Sequence, residues 1–251
     1  MKPKEIPVCG LAAVQARFRA NAGSIKRLFF DQATGRRVGA ISKALAAARK
    51  VYRCVEPVEL EKIAGTKHHG GIVAIVEQEA LRTPTAENLR TWGRQRAPLL
   101  LLDRIGNAHN LGAIARTAAF FGVSHIVIPD HPQQAFPGEA AHRVAEGGME
   151  GVEIFCVKNL AVFCRELAPH YRVLGTAVIG AKPLPKILQE DARGATKPIA
   201  IVLGNEEHGL SPEVAAACAG LVTIPGCGRV ESLNVSVAAA ILCWEFFAKT
   251  R

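Results

Sequence analysis

The sequence predicts an α/β fold in two parts, the second built on a mostly parallel sheet. Three observations predict it. Short extended runs alternate with helical ones along nearly the whole chain, the pattern of sheets covered by helices. Residues 99–102 (LLLL) and 199–203 (IAIVL) are continuously apolar, as expected of parallel strands buried on both faces. Residues 81–96 (LRTPTAENLRTWGRQR) hold Pro84 and Gly93 and lack a clean apolar period, which marks a linker. The 251 residues thus divide into a front part, 1–80, a linker, 81–96, and a second part, 97–251.

In the front part, residues 10–22, 38–49 and 57–64 read as helical, and 25–30, 51–55 and 71–76 as extended. That is about the minimum for a small covered sheet. Part of the linker reads as a short helix starting after Thr85. In the second part the extended candidates are 98–103, 125–129, 152–157, 171–178, 198–203 and 221–224. The helical ones are 110–121, 138–145, 159–167, 212–219 and 233–248. In such sheets ligands sit beyond the carboxyl ends of the strands, so the residues following each strand are the candidates for chemistry.

Composition narrows the class. Hydrophobic residues make up 49% and charged residues 21%, which excludes wholesale disorder. No apolar run reaches the roughly 18 residues of a membrane helix, so no membrane partner is expected. The apolar stretch at 8–14 soon meets Gln15 and Arg17, so the start reads as mature protein, not as a signal peptide. The seven cysteines are scattered without a Cys-x-x-Cys pair, which argues against a zinc site or a disulfide framework and for a reducing cytoplasm. The net charge of +9 is unevenly spread: +7 in 1–80, +3 in 81–96 and −1 in 97–251. A basic front beside a neutral remainder suggests a polyanion-binding module joined to something else, although a solvated surface would show the same excess.

Three segments after strands stand out. In the first, Asn110 sits where a helix begins, and capping that helix would account for it. Arg116 lies in LGAIARTAAFFG, otherwise free of charge. In a largely buried helix such a cation needs an anionic partner. In the second, residues 199–203 run into Gly204, Asn205, Glu206, Glu207 and His208. Gly204 permits close backbone approach. Ser211-Pro212 starts the next helix, and His208 reads as a surface imidazole, since no catalytic triad order is evident. In the third, Ile224-Pro-Gly226-Cys-Gly228 leads through Ser232, Leu233 and Asn234 into a helix. The glycines let a loop wrap a flat ligand with its amides, and Cys227 reads as a structural thiol. The glycine spacing lacks a third glycine and comes too late for a dinucleotide fingerprint, which argues against a nicotinamide enzyme.

Together these segments resemble the three signature motifs of the SpoU (TrmH-like) branch of the SPOUT RNA methyltransferases. They are Asn110-Leu-Gly-Ala-Ile-x-Arg116-Thr-Ala, Leu203-Gly204-Asn205-Glu206-x-x-Gly209-Leu210 and Ile224-Pro225-x-x-Gly228-x-Val230-Glu231-Ser232-Leu233-Asn234-Val235-Ser236. Each alone is modest, whereas all three in order are specific, and they cover residues 97–251. The front is similar to the SpoU substrate-binding domain, itself like small RNA-binding ribosomal proteins. Gly10-Leu-Ala-Ala-Val14 and His68-His69-Gly70-Gly71-Ile72-Val73-Ala74 carry that likeness. His69 stands where Gln is commoner, a form similar to a YfiF-like branch. Ala108 replaces the usual Pro and Gly226 the usual Met; both departures bear on loop shape and substrate.

The resemblance implies a C-terminal α/β-knot domain, threaded as a deep trefoil, which is a rare exception to unknotted topology. It implies S-adenosylmethionine as cofactor, held near Leu203, Gly204, Asn205, Ile224, Gly226, Gly228 and Leu233, and no metal. It implies methyl transfer to a ribose 2′-hydroxyl, with Asn110, Arg116, Glu206, Ser232 and Asn234 as the catalytic set. A free Arg stays protonated, so a phosphate-binding or hydroxyl-orienting role suits Arg116 better than that of a base. The expected partners are RNA, ribosomal before transfer RNA because of the front domain, and a second copy through the C-terminal domain. The alternatives are the same reaction on transfer RNA, or a non-catalytic RNA-binding or ribosome-assembly homologue.

Overall fold

The computed structural model describes residues 4–192 and 196–248. Residues 1–3, 193–195 and 249–251 of the expected parts lie outside them. The front part runs β1 (Glu5–Cys9), α1 (Leu11–Asn21), β2 (Ile25–Phe30), α2 (Gln32–Gly35), α3 (Gly39–Ala47), β3 (Val51–Cys54), α4 (Pro57–Ala64) and β4 (Ile72–Glu77). Its sheet has the order β1-β4-β2-β3, with β4 antiparallel to both neighbours and β2 parallel to β3. Alternation along β4 splits the core. Ile72, Ala74 and Val76 join Val14, Leu28, Ile41 and Leu45 on one face, while Val73 and Ile75 join Leu60 and Ala64 on the other. Strand β1 is an element the sequence did not reveal, because Pro7 reads as a breaker. It survives at the sheet edge, where proline is tolerated. Gly10 then turns the chain into α1 at φ +90, a region that glycine enters without steric cost.

The segment expected as linker is folded. Helix α5 (Ala86–Arg94) starts where the sequence placed it, with Thr85 and Asn88 forming a reciprocal capping box. It buries Leu89 and Trp92, and Trp92 packs against His125 and Phe155 at ring-centroid distances of 4.5 and 5.1 Å. Ahead of it, the Arg82 carbonyl accepts a hydrogen bond from the Cys156 N–H at 2.9 Å.

The second part runs β5 (Leu99–Asp103), α6 (Ala108–Phe120), β6 (His125–Pro129), α7 (Glu139–Ala145), β7 (Glu153–Val157), α8 (Leu160–Leu167), β8 (Arg172–Thr176), β9 (Lys182–Pro183) and α9 (Leu184–Ala192). It ends with β10 (Ile199–Gly204), α10 (Pro212–Ala217), β11 (Gly220–Thr223) and α11 (Val235–Cys243), continued by a π-helical turn at Trp244–Ala248. The sheet order is β7-β6-β5-β10-β8-β11-β9, and every pairing is parallel. Its central strands feed both faces. Leu100, Leu102, Ile201 and Leu203 pack beneath α6 and α11, while Leu99, Leu101, Ala200 and Val202 pack beneath α8 and α10. The two apolar runs are therefore buried on both sides, as their sequence implies. The pair β9–α9 went unread because Pro183 and Pro185 interrupt the run. Both are harmless where they fall, on an edge strand and in a helix's first turn.

The two parts dock through β1 and α1 of the front part, set against α7 and residues 148–151 of the second. Arg17 ion-pairs with Glu150 at 3.0 Å and bonds the Ser24 hydroxyl at 2.7 Å. A cleft of about 210 Å³ remains between the parts, lined by Ile6, Arg17, Glu77 and His142 among others.

Candidate active site

The carboxyl ends of β5, β10, β8 and β11 lie side by side, and the loops leaving them carry the three motifs. Asp103 closes the run of four leucines and is 3% exposed. Its Oδ2 accepts the Ser211 N–H at 2.6 Å and its Oδ1 faces Arg104 Nε at 3.2 Å. A carboxylate this deep needs such donors; here they brace the entry to α10, where the Ser211 side chain makes no cap hydrogen bond. Asn205 ties the neighbouring loops together. Its Nδ2 donates to the Arg104 carbonyl at 2.7 Å, and its Oδ1 accepts from the Glu207 and His208 N–H groups at 3.0 Å each. Paired backbone bonds between Asn205 and Gly209 pinch this loop. A Cβ on Gly204 would come within 2.4 Å of the Gly209 carbonyl carbon, so the close approach that Gly204 permits is to this loop's own backbone.

Helix α6 begins earlier than the sequence suggested. Its cap is Asn107, whose side chain accepts the His109 N–H at 2.8 Å, and Asn110 is thereby freed from capping. Asn110 Nδ2 donates to Glu206 Oε1 at 2.7 Å, and its Oδ1 accepts from Asn234 Nδ2 at 3.2 Å. Glu206 Oε2 faces the Gly106 N–H at 3.4 Å. Asn234 caps α11, its Oδ1 accepting from the Ser236 N–H at 2.9 Å and the Ser236 hydroxyl at 2.6 Å. One polar chain thus joins all three motifs: Glu206, Asn110, Asn234.

Arg116 stands apart from that chain and is not buried as expected. Only one face of α6 is covered, by Leu111, Ile114, Ala115 and Ala118. Arg116 lies on the open face with Phe120, one turn on, which is 82% exposed. The anionic partner it needs is Glu146, at 3.0 Å. Ser232, Gly226, Gly228 and Leu233 lie on the exposed loop before α11, and Ile224 packs against the core beneath it. Leu203 is fully buried, so only its backbone can meet a ligand. Cys227 is exposed, so it is not the packed thiol the sequence suggested. The buried thiols are held protonated, with burial pushing Cys164 and Cys243 up to about 12. His208 is a surface imidazole, as expected. Sequence reading gave no role to Asp103 or Glu146. Of these only Asp103, a carboxylate directly after four leucines, carried a local signal.

Two family models match. One, the SpoU rRNA methylase family, covers residues 97–244. The other, RNA 2′-O ribose methyltransferase substrate binding, covers residues 7–81. The chain belongs to the SpoU rRNA methylase family. As a SpoU methylase it is an RNA ribose-2′-O-methyltransferase that uses S-adenosylmethionine, on the α/β fold the sequence predicted. It is 36% identical over 243 residues to a 23S rRNA (guanosine-2′-O-)-methyltransferase, RlmB, of Nitrosomonas europaea, covering 96% of this chain and 90% of that protein. It is 32% identical, over its whole length and 70% of the other, to an uncharacterised tRNA/rRNA methyltransferase, YfiF, of Escherichia coli O157:H7. A solved rRNA methyltransferase of Sinorhizobium meliloti with bound S-adenosylmethionine superposes with a TM-score of 0.73 at 26% identity, over 96% of this chain and 86% of that one.

The residues present fit this donor. Val178 and Ile179 on the loop after β8, and Val230 and Leu233 on the loop after β11, expose apolar surface at adjacent strand ends, suited to the faces of an adenine ring. A Cβ on Gly226 would meet nothing within 4 Å, so the loop's backbone is open to a ligand. Among the described residues, no group of three His, Cys, Asp or Glu is arranged to hold a metal ion.

Proposed function

We propose that this SpoU methylase methylates the ribose 2′-hydroxyl of a guanosine in large-subunit ribosomal RNA. The hydrogen-bonded chain Glu206–Asn110–Asn234 carries the proposal, because it gathers one polar residue from each motif at the strand ends. Bound S-adenosylmethionine supplies an electrophilic methyl group. The protein's part is positioning, which can lower such a barrier by several kcal/mol, about 7 to 11 in the best cases. The Gly106 N–H and the Asn110 amide orient the Glu206 carboxylate, leaving lone pairs to accept from a ribose or cofactor hydroxyl. A guanidinium is a poor proton acceptor, so Arg116 binds phosphate or orients the hydroxyl. Backbone groups of Leu203, Gly204, Ile224, Gly226, Gly228 and Leu233 line the cofactor loops.

The division of labour follows the charge. Residues 1–80 grip RNA, residues 81–96 join, and residues 97–251 carry the chemistry. Two copies associate through the second part: Phe120, Val237 and Trp244 expose apolar surface on the packed pair α6 and α11, the kind of patch that marks an interface. With ribosomal RNA as substrate the site of action is the cytoplasm, and no helix among the described residues is long and apolar enough to cross a membrane. The test is Arg116→Ala assayed with tritiated S-adenosylmethionine on ribosomal RNA. Methyl transfer is expected to vanish while RNA retention persists, and mapping of 2′-O-methyl positions with and without the protein names the nucleotide. Unchanged turnover would remove Arg116 from the reaction.

A further inference from the structure

Four non-glycine residues among those described adopt a positive φ, and one of them faces Arg116: Glu146, at φ 46 and ψ 43, just past the end of α7. Left-handed backbone is unfavourable for a residue with a Cβ, and glutamate lacks the short side chain that lets Asn and Asp tolerate it. The usual occupant of this position at a helix end is glycine. The residues that follow are wedged. A Cβ on Gly147 would lie 3.2 Å from the Ala12 carbonyl and from Ala16 on α1, and one on Gly148 would lie 2.6 Å from Arg116 Cα. Residues 146–150 are thus clamped between α1 of the front part and α6 of the second. At one end Glu146 Oε2 sits 3.0 Å from Arg116 Nη2, and at the other Glu150 takes Arg17 at 3.0 Å.

The Arg116–Glu146 pair does not explain itself through stability. The two side chains are 56% and 59% exposed, and ion pairs this open contribute little. Strain at a non-glycine residue, kept beside a charged group of the candidate site and without a stabilising return, points to function.

We propose that Glu146 is a positioning residue: its carboxylate holds the Arg116 guanidinium in the orientation used during methyl transfer, and the clamped segment fixes that orientation relative to the docked RNA-binding part. The proposal rests on the reading that Arg116 acts in methyl transfer. It calls for no new chemistry at Glu146, which acts through Arg116 and does not touch the transferred methyl.

The experiment compares Glu146→Gly, Glu146→Gln and Glu146→Asp in the full chain, with Arg116→Ala alongside. Glycine relieves the left-handed strain, so Glu146→Gly is expected to raise Tm by about 2 to 4 °C, the shift that about 1 kcal/mol gives in a chain of this size. A residue kept for structure alone would then be improved in activity too. A positioning carboxylate predicts the opposite split. In Glu146→Gly and Glu146→Gln, kcat at saturating RNA and S-adenosylmethionine falls by about tenfold or more, with KM for S-adenosylmethionine unchanged, and Glu146→Asp restores part of kcat. Wild-type or higher kcat in both neutral variants, with Arg116→Ala inactive, overturns the proposal and leaves the role of Arg116 standing. Wild-type kcat in Arg116→Ala overturns the reading beneath it.

Discussion

Gly148 and Gly226 are both glycines, yet the structure asks different things of them. A side chain at 148 would collide with the Arg116 backbone, with its Cβ 2.6 Å from Cα and 3.0 Å from N, and backbone cannot step aside as a side-chain tip can. Gly148→Ala is therefore expected to cost about 1 to 3 kcal/mol, as overpacking does, and to lower turnover by shifting Arg116. Gly226→Ala meets open space, so its urea midpoint should match wild type while its affinity for S-adenosylmethionine falls. Urea unfolding and calorimetric titration of the two variants check this, and an equal loss of stability in both would contradict it. The same scale shows what a sequence can and cannot tell. In Gly106-Asn-Ala-His-Asn110 either asparagine could cap the helix, and nothing local says that Asn107 takes the task. What gives Asn110 a task other than capping is the presence of Glu206 and Asn234 within hydrogen-bond reach, and those partners lie 96 and 124 positions away.

Among elements, those whose fate is set by their own residues were legible. Residues 99–102 and 199–203 declared themselves as doubly buried strands, and the start of α5 was marked by Thr85, while the burial of Leu89 and Trp92 was not. Strands β1 and β9 and helix α9 were not, because prolines that break a regular element in its interior are harmless at an edge or in a first turn. The packing of α5 also changes what residues 81–96 are: with Leu89 and Trp92 buried beside Leu99, Leu101 and Phe155, the helix is part of the second part's core. Two substitutions separate its contributions. Thr85→Ala removes the cap and should cost about 1 kcal/mol. Trp92→Ala empties a buried aromatic site and should cost about 3 to 5 kcal/mol. Denaturant unfolding measures both, and comparable losses would mean that α5 is held by its cap and not by its tryptophan.

At the scale of the molecule, the basic excess was legible and the docking was not. Counting charges suggests a polyanion-binding front part, since a cluster of Lys and Arg gives salt-dependent, sequence-blind affinity. Arg17 reads as one more of those basic residues, yet it is turned inward to Glu150, 133 positions away. Their pairing brings His142 into the joint. Its Nδ1 lies 2.9 Å from the Gly138 carbonyl, to which it donates when protonated there, and its Nε2 lies 3.9 Å from Glu150 Oε1. Burial depresses the pKa of His142; the Gly138 carbonyl and Glu150 oppose that shift and Arg17 adds to it. In the unfolded chain the imidazole titrates near its ordinary value of about 6.5. Below that pH the unfolded chain therefore binds more protons than the folded one, and stability must fall as pH drops toward the depressed folded value. Well above about pH 6.5, where the imidazole is neutral in both states, the residue adds no slope. His142→Asn removes the titration. Urea unfolding from about pH 8 down to about pH 5.5 should then show curves that run parallel at the alkaline end, with wild type losing stability more steeply than the variant as the pH passes through about 6.5. Because His142 sits in the joint, the acid loss should be accompanied by undocking of the two parts, seen as faster proteolysis after residue 81. Parallel curves throughout would mean that His142 keeps an ordinary pKa and that the joint is indifferent to acid.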